Sequence, residues 1–166
     1  MYYGWKIVGV AFITLFVSIG FLFYSYGVFM PILEIEFGSS RLAGSLGLSG
    51  MMLTMGLAGP YLGKTVDESS IRNVMITGIL LMALGFLLAA RANAMWQFQV
   101  ILASTLGIGA AFSGIIPSQT LVGNWFIRRR GIALGVATMG VSLAGILMPL
   151  ISTQLIDAIG WRYTFV

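Results

Sequence analysis

The stretch "GNWFIRRRGIALGVATMG", Gly123–Gly140, places three consecutive arginines between two segments that have almost no polar side chains. Over all 166 residues, apolar residues make up 58% and charged residues only 8%. A soluble domain carries about 25% charged residues, so a chain of this composition could not cover its surface in water. The composition therefore predicts a membrane protein, and the arginines form a charged turn between two spans.

Five uncharged runs extend along the chain on both sides of this turn. A spanning helix needs about 20 apolar residues. The predicted spans cover residues 7–31, 42–63, 73–91, 96–123 and 131–156, and a sixth is predicted to start near residue 161. A cleaved signal peptide is the alternative for the first run, but the 27 uncharged residues of Ile7–Leu33 favour a retained span. The sequence thus predicts an all-α integral membrane protein with five transmembrane helices and the start of a sixth.

Lysine and arginine are distributed unevenly between the two ends of these predicted helices. The end that holds the N-terminus carries Lys6, Lys64, Arg72, Arg128, Arg129 and Arg130. The opposite end carries Arg41, Arg91 and Arg162. Because cytoplasmic loops are enriched in Lys and Arg, this pattern predicts a cytoplasmic N-terminus in the plasma (inner) membrane. It also makes the arginine turn a topological anchor.

The same composition argues against several other functions. The basic residues lie at the ends of apolar runs rather than on one wettable face, so the net charge of +4 does not indicate nucleic-acid binding. The chain has no cysteine and no histidine, which argues against a transition-metal site and removes the usual general base. We predict no metal, no cofactor and no enzymatic activity. No charged residue lies deep inside a span, so the sequence shows no intramembrane proton relay.

Small residues recur with helical spacing in three of the predicted spans. The fifth carries one row at Gly131, Gly135, Thr138, Ser142 and Gly145, and a second at Ala133, Ala137, Gly140 and Ala144. The second span has Ala43, Gly47, Gly50 and Thr54, then Gly56, Gly59 and Gly63, and the fourth has a row at Gly107, Ala111, Gly114 and Ser118. Helices in lipid associate where small residues let their backbones approach. These rows predict tightly packed helix faces that can slide.

Two tyrosines lie in the apolar first span, where a hydroxyl needs a partner or water. Tyr24 and Tyr26 point in nearly opposite directions if the helix is regular, so at most one of them lines a cavity. We favour Tyr24 as the cavity residue. A hydrogen bond between helices is the alternative role for its hydroxyl.

Two loops resemble known transporter motifs. "GPYLGKTVDESSIR", Gly59–Arg72, resembles the loop between the second and third helices of the major facilitator superfamily. Gly63, Asp67 and Arg72 match that motif, whereas Glu68 stands where arginine is usual. "NWFIRRRGIALGVATMG" is similar to the fifth-helix signature of the monocarboxylate transporter family, and "SYGVFMPILEIEFG" is similar to members that exchange oxalate and formate. The resemblance implies the N-terminal half of a major facilitator bundle.

The resemblance also implies a function. It indicates a secondary active transporter that moves a small organic anion, a monocarboxylate or an anion of the oxalate or formate type, by alternating access. A proton or a counter-anion is the implied coupled species, and the lipid bilayer and a C-terminal half are the implied partners. The implied substrate-path residues are Tyr24, Met52 and Ile115. The implied conformational-switch residues are Gly63, Asp67, Arg72, Arg128, Arg129 and Arg130. The alternative is a non-transporting membrane subunit or scaffold that packs through its glycine-rich helix faces.

Overall fold

Each predicted apolar run forms one long helix in the computed structural model, which describes residues 3–164 except for the side chain of Asp67. The helices are α1 (Tyr3–Glu36), α2 (Arg41–Glu68), α3 (Ile71–Ala90), α4 (Met95–Trp125), α5 (Arg130–Ile159) and the short α6 (Trp161–Thr164). Five of them are long and apolar enough to cross a membrane. The predicted all-α membrane fold is therefore confirmed. We call the end of the bundle that holds Arg128–Arg130 the arginine end, and the other the opposite end.

Glycine closes two helices at the opposite end. Gly38 after α1 has a φ of 58° and Gly160 after α5 a φ of 81°, both in the left-handed region that favours glycine. The next helix begins within a few residues in each case. Ser40 caps α2 by accepting a hydrogen bond from the backbone nitrogen of Ala43 at 3.4 Å. These short connections keep neighbouring helices antiparallel.

Helix α4 occupies the centre of the bundle, where it packs against α1, α2 and α3, and α5 packs mainly against α1. Two apolar clusters fill the interior. The larger includes Phe29, Met51, Met82 and Leu106, and the smaller lies at the arginine end between α1, α4 and α5. The core therefore ties α1 to α5 at one end and α4 to α2 and α3 over the rest of the bundle.

Two helix pairs approach each other so closely that only glycine fits at the crossing. A Cβ added at Gly140 of α5 would lie 2.5 Å from the carbonyl oxygen of Phe12 on α1. One added at Gly78 of α3 would lie 2.7 Å from the backbone nitrogen of Ser113 on α4. Because the obstructing atoms are backbone, a larger residue would have to push the helices apart. Close backbone approach at small residues is the usual basis of helix association in lipid.

The small-residue rows divide into packed and open faces. On α5, Ala133, Ala137, Gly140 and Ala144 are buried against α1. The other row is open over its first part, since nothing in the described part of the chain lies within 4 Å of a Cβ added at Gly131 or Gly135, whereas Gly145 at its end packs against Tyr24. The same holds for Gly56, Gly59 and Gly63 on α2. The prediction of tight packing is right for the first row and, within the described residues, wrong for these five glycines.

Helices α1 and α4 are irregular partway across the membrane. Their π-helical segments are Gly20–Tyr24 and Leu102–Leu106. In α1 the backbone nitrogen of Ser25 donates to the carbonyl of Gly20 at 3.0 Å, five residues back instead of four. In α4 the helix breaks at Gly114, whose ψ is −145°. Pro117 accounts for that break, because it has no N–H to donate to the carbonyl four residues earlier and its ring clashes with it.

A buried pair of hydroxyl groups joins α1 to α5. Ser152 donates to Ser25 with an oxygen–oxygen distance of 2.6 Å, and Ser25 donates to the carbonyl of Gly20 at 3.3 Å. Both serine side chains are fully buried. In the membrane interior polar groups must be satisfied within the protein, and these two bonds do so.

Four side chains hold the end of α1 against the start of α6. The indole N–H of Trp161 donates to the carboxylate of Glu36, and the guanidinium of Arg162 lies 3.2 Å from the same carboxylate. The ring of Phe37 stands edge-on to Trp161 with centroids 6.2 Å apart. The opposite end therefore has a fixed contact between the first and the last described helix.

Candidate functional site

The two tyrosines of α1 point to different neighbouring helices. The ring of Tyr24 packs against α5, where it lies 3.1 Å from the position of a Cβ on Gly145, and the side chain is 37% exposed. Tyr26 instead donates to the carbonyl of Gly44 on α2 at 2.6 Å. The hydroxyl of Tyr26 therefore forms a hydrogen bond between α1 and α2. The role of Tyr24 in a substrate path stays a prediction, with its side chain placed at an open edge of the bundle.

The other two predicted path residues are also exposed. Met52 is 52% exposed and shares a face of α2 with Gly56 and Gly59. Ile115 is 44% exposed and is the first residue after the break in α4. At 1.5 Å per residue, Met52 lies about 17 Å from the start of α2 and Ile115 about 15 Å from the end of α4. Both are therefore near the middle of a hydrocarbon layer about 30 Å thick.

Ile115 lies between two clefts on this side of the bundle. The α2–α4 cleft has a volume of about 350 Å³ and is lined by apolar residues that include Ile19, Met55 and Leu62. The α4–α5 cleft has a volume of about 370 Å³. Its lining consists of Ile115, Gln119, Gly135, Thr138, Met139, Val141 and Ser142. The two clefts differ in chemistry, because the second contains an amide and two hydroxyl groups.

The polar groups of the α4–α5 cleft were missed or undervalued by the sequence reasoning. Gln119 was not considered, and Ser142 was counted only as a small residue. Thr138 donates within its own helix, to Leu134 or Gly135 at 3.0 Å. Gln119 was detectable in principle, since an amide inside an apolar run needs either a protein partner or a polar occupant.

The predicted switch residues all lie at the arginine end. Gly63 faces open space on α2, and Arg72 is exposed in the first turn of α3. Arg128 and Arg129 are exposed in the turn between α4 and α5, whereas the guanidinium of Arg130 folds back over Gly123. The predicted role of Asp67 falls on a side chain outside the described part of the structure. The structure therefore brings the two loops to one end of the bundle.

Charge is strongly unequal at the two ends. In the sequence, two acidic residues, Asp67 and Glu68, and six basic residues belong to the arginine end of the bundle. Three acidic residues, Glu34, Glu36 and Asp157, and three basic residues belong to the opposite end, so their charges cancel. The whole formal net charge of +4 therefore belongs to the arginine end. There Glu68 pairs with Lys64 of its own helix at 3.8 Å, and both side chains are exposed.

Aromatic side chains line the arginine end beside this charge. Tyr3 contacts Trp125 with ring centroids 5.3 Å apart, and Trp5 contacts Phe126 at 5.5 Å. These contacts hold the start of α1 against the end of α4, directly before the arginine turn. Tyr and Trp are enriched where a membrane protein meets the lipid headgroups.

Comparisons with known proteins agree with this architecture. Residues 10–166 match the Major Facilitator Superfamily. Monocarboxylate transporter 6 of Homo sapiens is 31% identical over 163 residues, which cover 98% of this chain and 32% of the relative. Monocarboxylate transporter 2 of Mesocricetus auratus is 30% identical over 166 residues, 98% of this chain and 33% of the relative. An MFS-type transporter of Gibberella moniliformis is 32% identical over 113 residues, 68% of this chain and 27% of the relative. The chain spans about a third of the length of these relatives.

Proposed function

The chain belongs to the Major Facilitator Superfamily, and on this premise we propose that it forms one half of a secondary active transporter. The transporter moves a small organic anion across the plasma membrane by alternating access. Its N-terminus and the arginine turn lie in the cytoplasm, as the excess of positive charge at that end favours. A proton or a counter-anion is the coupled species.

The open side of the bundle is the observation that carries this proposal. Gly56, Gly59 and Gly63 of α2 and Gly131 and Gly135 of α5 have nothing packed on them within the described residues. In secondary transporters the substrate site lies near the midplane between two bundles that move against each other. Open rows of small residues on two helices are suited to receive a second bundle at close range and let it slide. We propose that the partner on this side is the C-terminal half of the transporter.

An anionic substrate fits the distribution of charge. Carboxylates in the described part of the chain lie near the helix ends, at Glu34, Glu36, Glu68 and Asp157. An anion at mid-depth, beside Tyr24, Met52 and Ile115, would therefore meet neutral side chains rather than like charge. The names of two relatives, monocarboxylate transporters 6 and 2, support a small carboxylate. Monocarboxylates and oxalate- or formate-type anions are the candidates.

We propose that the two loops at the arginine end act as the conformational switch. The residues involved are Gly63, Asp67, Arg72, Arg128, Arg129 and Arg130. An ion pair between the loops that forms in only one state would shift the balance between outward-open and inward-open forms. An exposed pair contributes about 0–1 kcal/mol, which is enough to change that balance several-fold.

Uptake into proteoliposomes by the product of the complete gene tests the substrate class. Lactate, formate and oxalate are compared as labelled substrates. We expect saturable uptake of at least one of them, and no uptake of any carboxylate would refute the proposal. A stable complex with another membrane protein in place of uptake would favour the scaffold alternative.

A matched pair of variants tests the substrate path. Tyr24→Phe removes only a hydroxyl at the open edge, and we expect it to raise KM about 2- to 10-fold, the usual effect of one lost hydrogen bond. The control is Tyr61→Phe, which removes a hydroxyl from an exposed position on the face of α2 that does not carry Met52. Equal effects of the two variants would remove Tyr24 from the path.

A further inference from the structure

We propose that Gln119 and Ser142 form a neutral hydrogen-bonding subsite in the α4–α5 cleft, which binds an uncharged oxygen of the transported anion. Such an oxygen is a hydroxyl or a carbonyl group separate from the carboxylate. The inference rests on the proposed function and assigns two residues that determine specificity within it.

The cleft is built from two helices whose contributions face each other. Ile115 and Gln119 are one turn apart on α4, and Thr138 and Ser142 are one turn apart on α5. The cleft has a volume of about 370 Å³, in the range of small-molecule sites, and it is largely open on the side where we propose the C-terminal half. Gly135 adds no side chain, which leaves room between these two pairs of residues. The cleft can therefore hold a small molecule between an amide and a hydroxyl.

The hydrogen-bonding capacity of these two side chains is unused within the described chain. Several hydroxyl groups elsewhere in the spans bond to the carbonyl one turn back, as at Thr54, Ser104, Thr120 and Thr153. Gln97 and Gln99 are also bonded, to the backbone of Asn93 and Ala43. No such bond is found for Gln119 or Ser142 among the described residues. Both residues are exposed in the cleft, so their amide and hydroxyl groups are free to bond a polar molecule that enters it.

The side chains of Gln119 and Ser142 determine which chemical group of a ligand they can bind. The amide of Gln119 donates and accepts, and the hydroxyl of Ser142 does the same. Neither carries a charge, so neither can neutralise a carboxylate. Together they suit an uncharged oxygen on the substrate, and an analogue without that oxygen would leave both groups unpaired.

The subsite adjoins the predicted substrate path. Gly145, which contacts the ring of Tyr24, lies three residues after Ser142 on the same face of α5. Ile115 lines the cleft itself. A substrate beside Tyr24 can therefore extend its uncharged end toward Gln119.

A pair of substrates that differ by one hydroxyl tests the subsite. Lactate and propionate have the same carbon skeleton, and only lactate has the hydroxyl. In the complete transporter, Gln119→Leu and Ser142→Ala are each expected to raise KM for lactate about 3- to 10-fold and to change KM for propionate less than twofold. Gln154→Leu, on another face of α5, is the control and should change neither. Equal effects on both substrates, or an equal effect of the Gln154 variant, would overturn the subsite.

Thiol labelling separates a failure of this inference from a failure of the proposed function. The chain has no cysteine, so Gln119→Cys and Ser142→Cys each introduce its only thiol. We expect a small water-soluble thiol reagent to modify both, and lactate to slow the reaction at least threefold more than propionate does. Absence of carboxylate uptake by the unaltered transporter would refute the proposed function. Thiols that stay unreactive at both positions would overturn the subsite itself.

Discussion

Replacement of Gly140 by alanine tests the close crossing of α1 and α5. The added methyl group would lie 2.5 Å from the carbonyl oxygen of Phe12, and backbone cannot rotate away as a flexible side chain can. The two helices must therefore separate, and overpacking of this kind costs about 1–3 kcal/mol. Alanine also has a higher helix propensity than glycine by about 1 kcal/mol, which partly hides the clash.

Gly135→Ala is the matched control on the same helix. It brings the same gain in helix propensity, but nothing in the described chain lies within 4 Å of the new methyl group. The difference between the two variants therefore isolates the clash, and we expect Gly140→Ala to be less stable than Gly135→Ala by about 1–3 kcal/mol. Thermal unfolding of the 166-residue chain in detergent measures this as a midpoint lower by roughly 2–12 °C. Equal midpoints would refute the crossing at Gly140.

Three further outcomes follow from the contacts described above. Ser25→Ala leaves the buried hydroxyl of Ser152 unpaired and is expected to lower the free energy of unfolding by about 1–3 kcal/mol, whereas Ser152→Ala leaves Ser25 bonded to Gly20 and should cost about 1 kcal/mol. The double variant should cost less than the sum, and additive costs in a double-mutant cycle would contradict the bond. Trp161→Phe keeps an aromatic ring but loses the N–H that donates to Glu36. We expect the free energy of unfolding to fall by about 1 kcal/mol, as measured by thermal unfolding. An unchanged midpoint would contradict the hydrogen bond. Gly135→Leu should not lower the stability of this chain, because nothing in the described residues lies within 4 Å of an added Cβ. It should abolish uptake by the complete transporter, and full uptake would argue against a second bundle on this face.

The membrane fold could be predicted from the sequence because hydropathy and length alone identify a spanning helix. The run that contains Gly131 to Ile156 needs no tertiary information to be recognised. The π-helical segment Gly20–Tyr24 could not be predicted, since it depends on whether the nitrogen of Ser25 donates to the carbonyl four or five residues earlier. That choice decides where Tyr24 points, so the direction of a candidate site residue depends on a detail that helix periodicity does not contain.

The rows of small residues show a second limit of sequence reasoning. Spacing identifies Gly135 and Gly140 equally well as members of small faces. Only the position of α1 decides that Gly140 is packed and Gly135 is open. Gln119 is a related case, because only the structure shows that it lines a cleft together with Ser142.

The orientation of the five helices is tested most directly by labelling with a membrane-impermeant thiol reagent. Arg129→Cys places a thiol in the exposed turn at the arginine end, and Arg91→Cys places one in an exposed turn at the opposite end. In intact cells we expect the thiol at position 91 to react at once and the one at position 129 to react only after the cells are permeabilised. Rapid reaction at position 129 in unbroken cells would contradict a cytoplasmic arginine turn and the orientation proposed for the transporter.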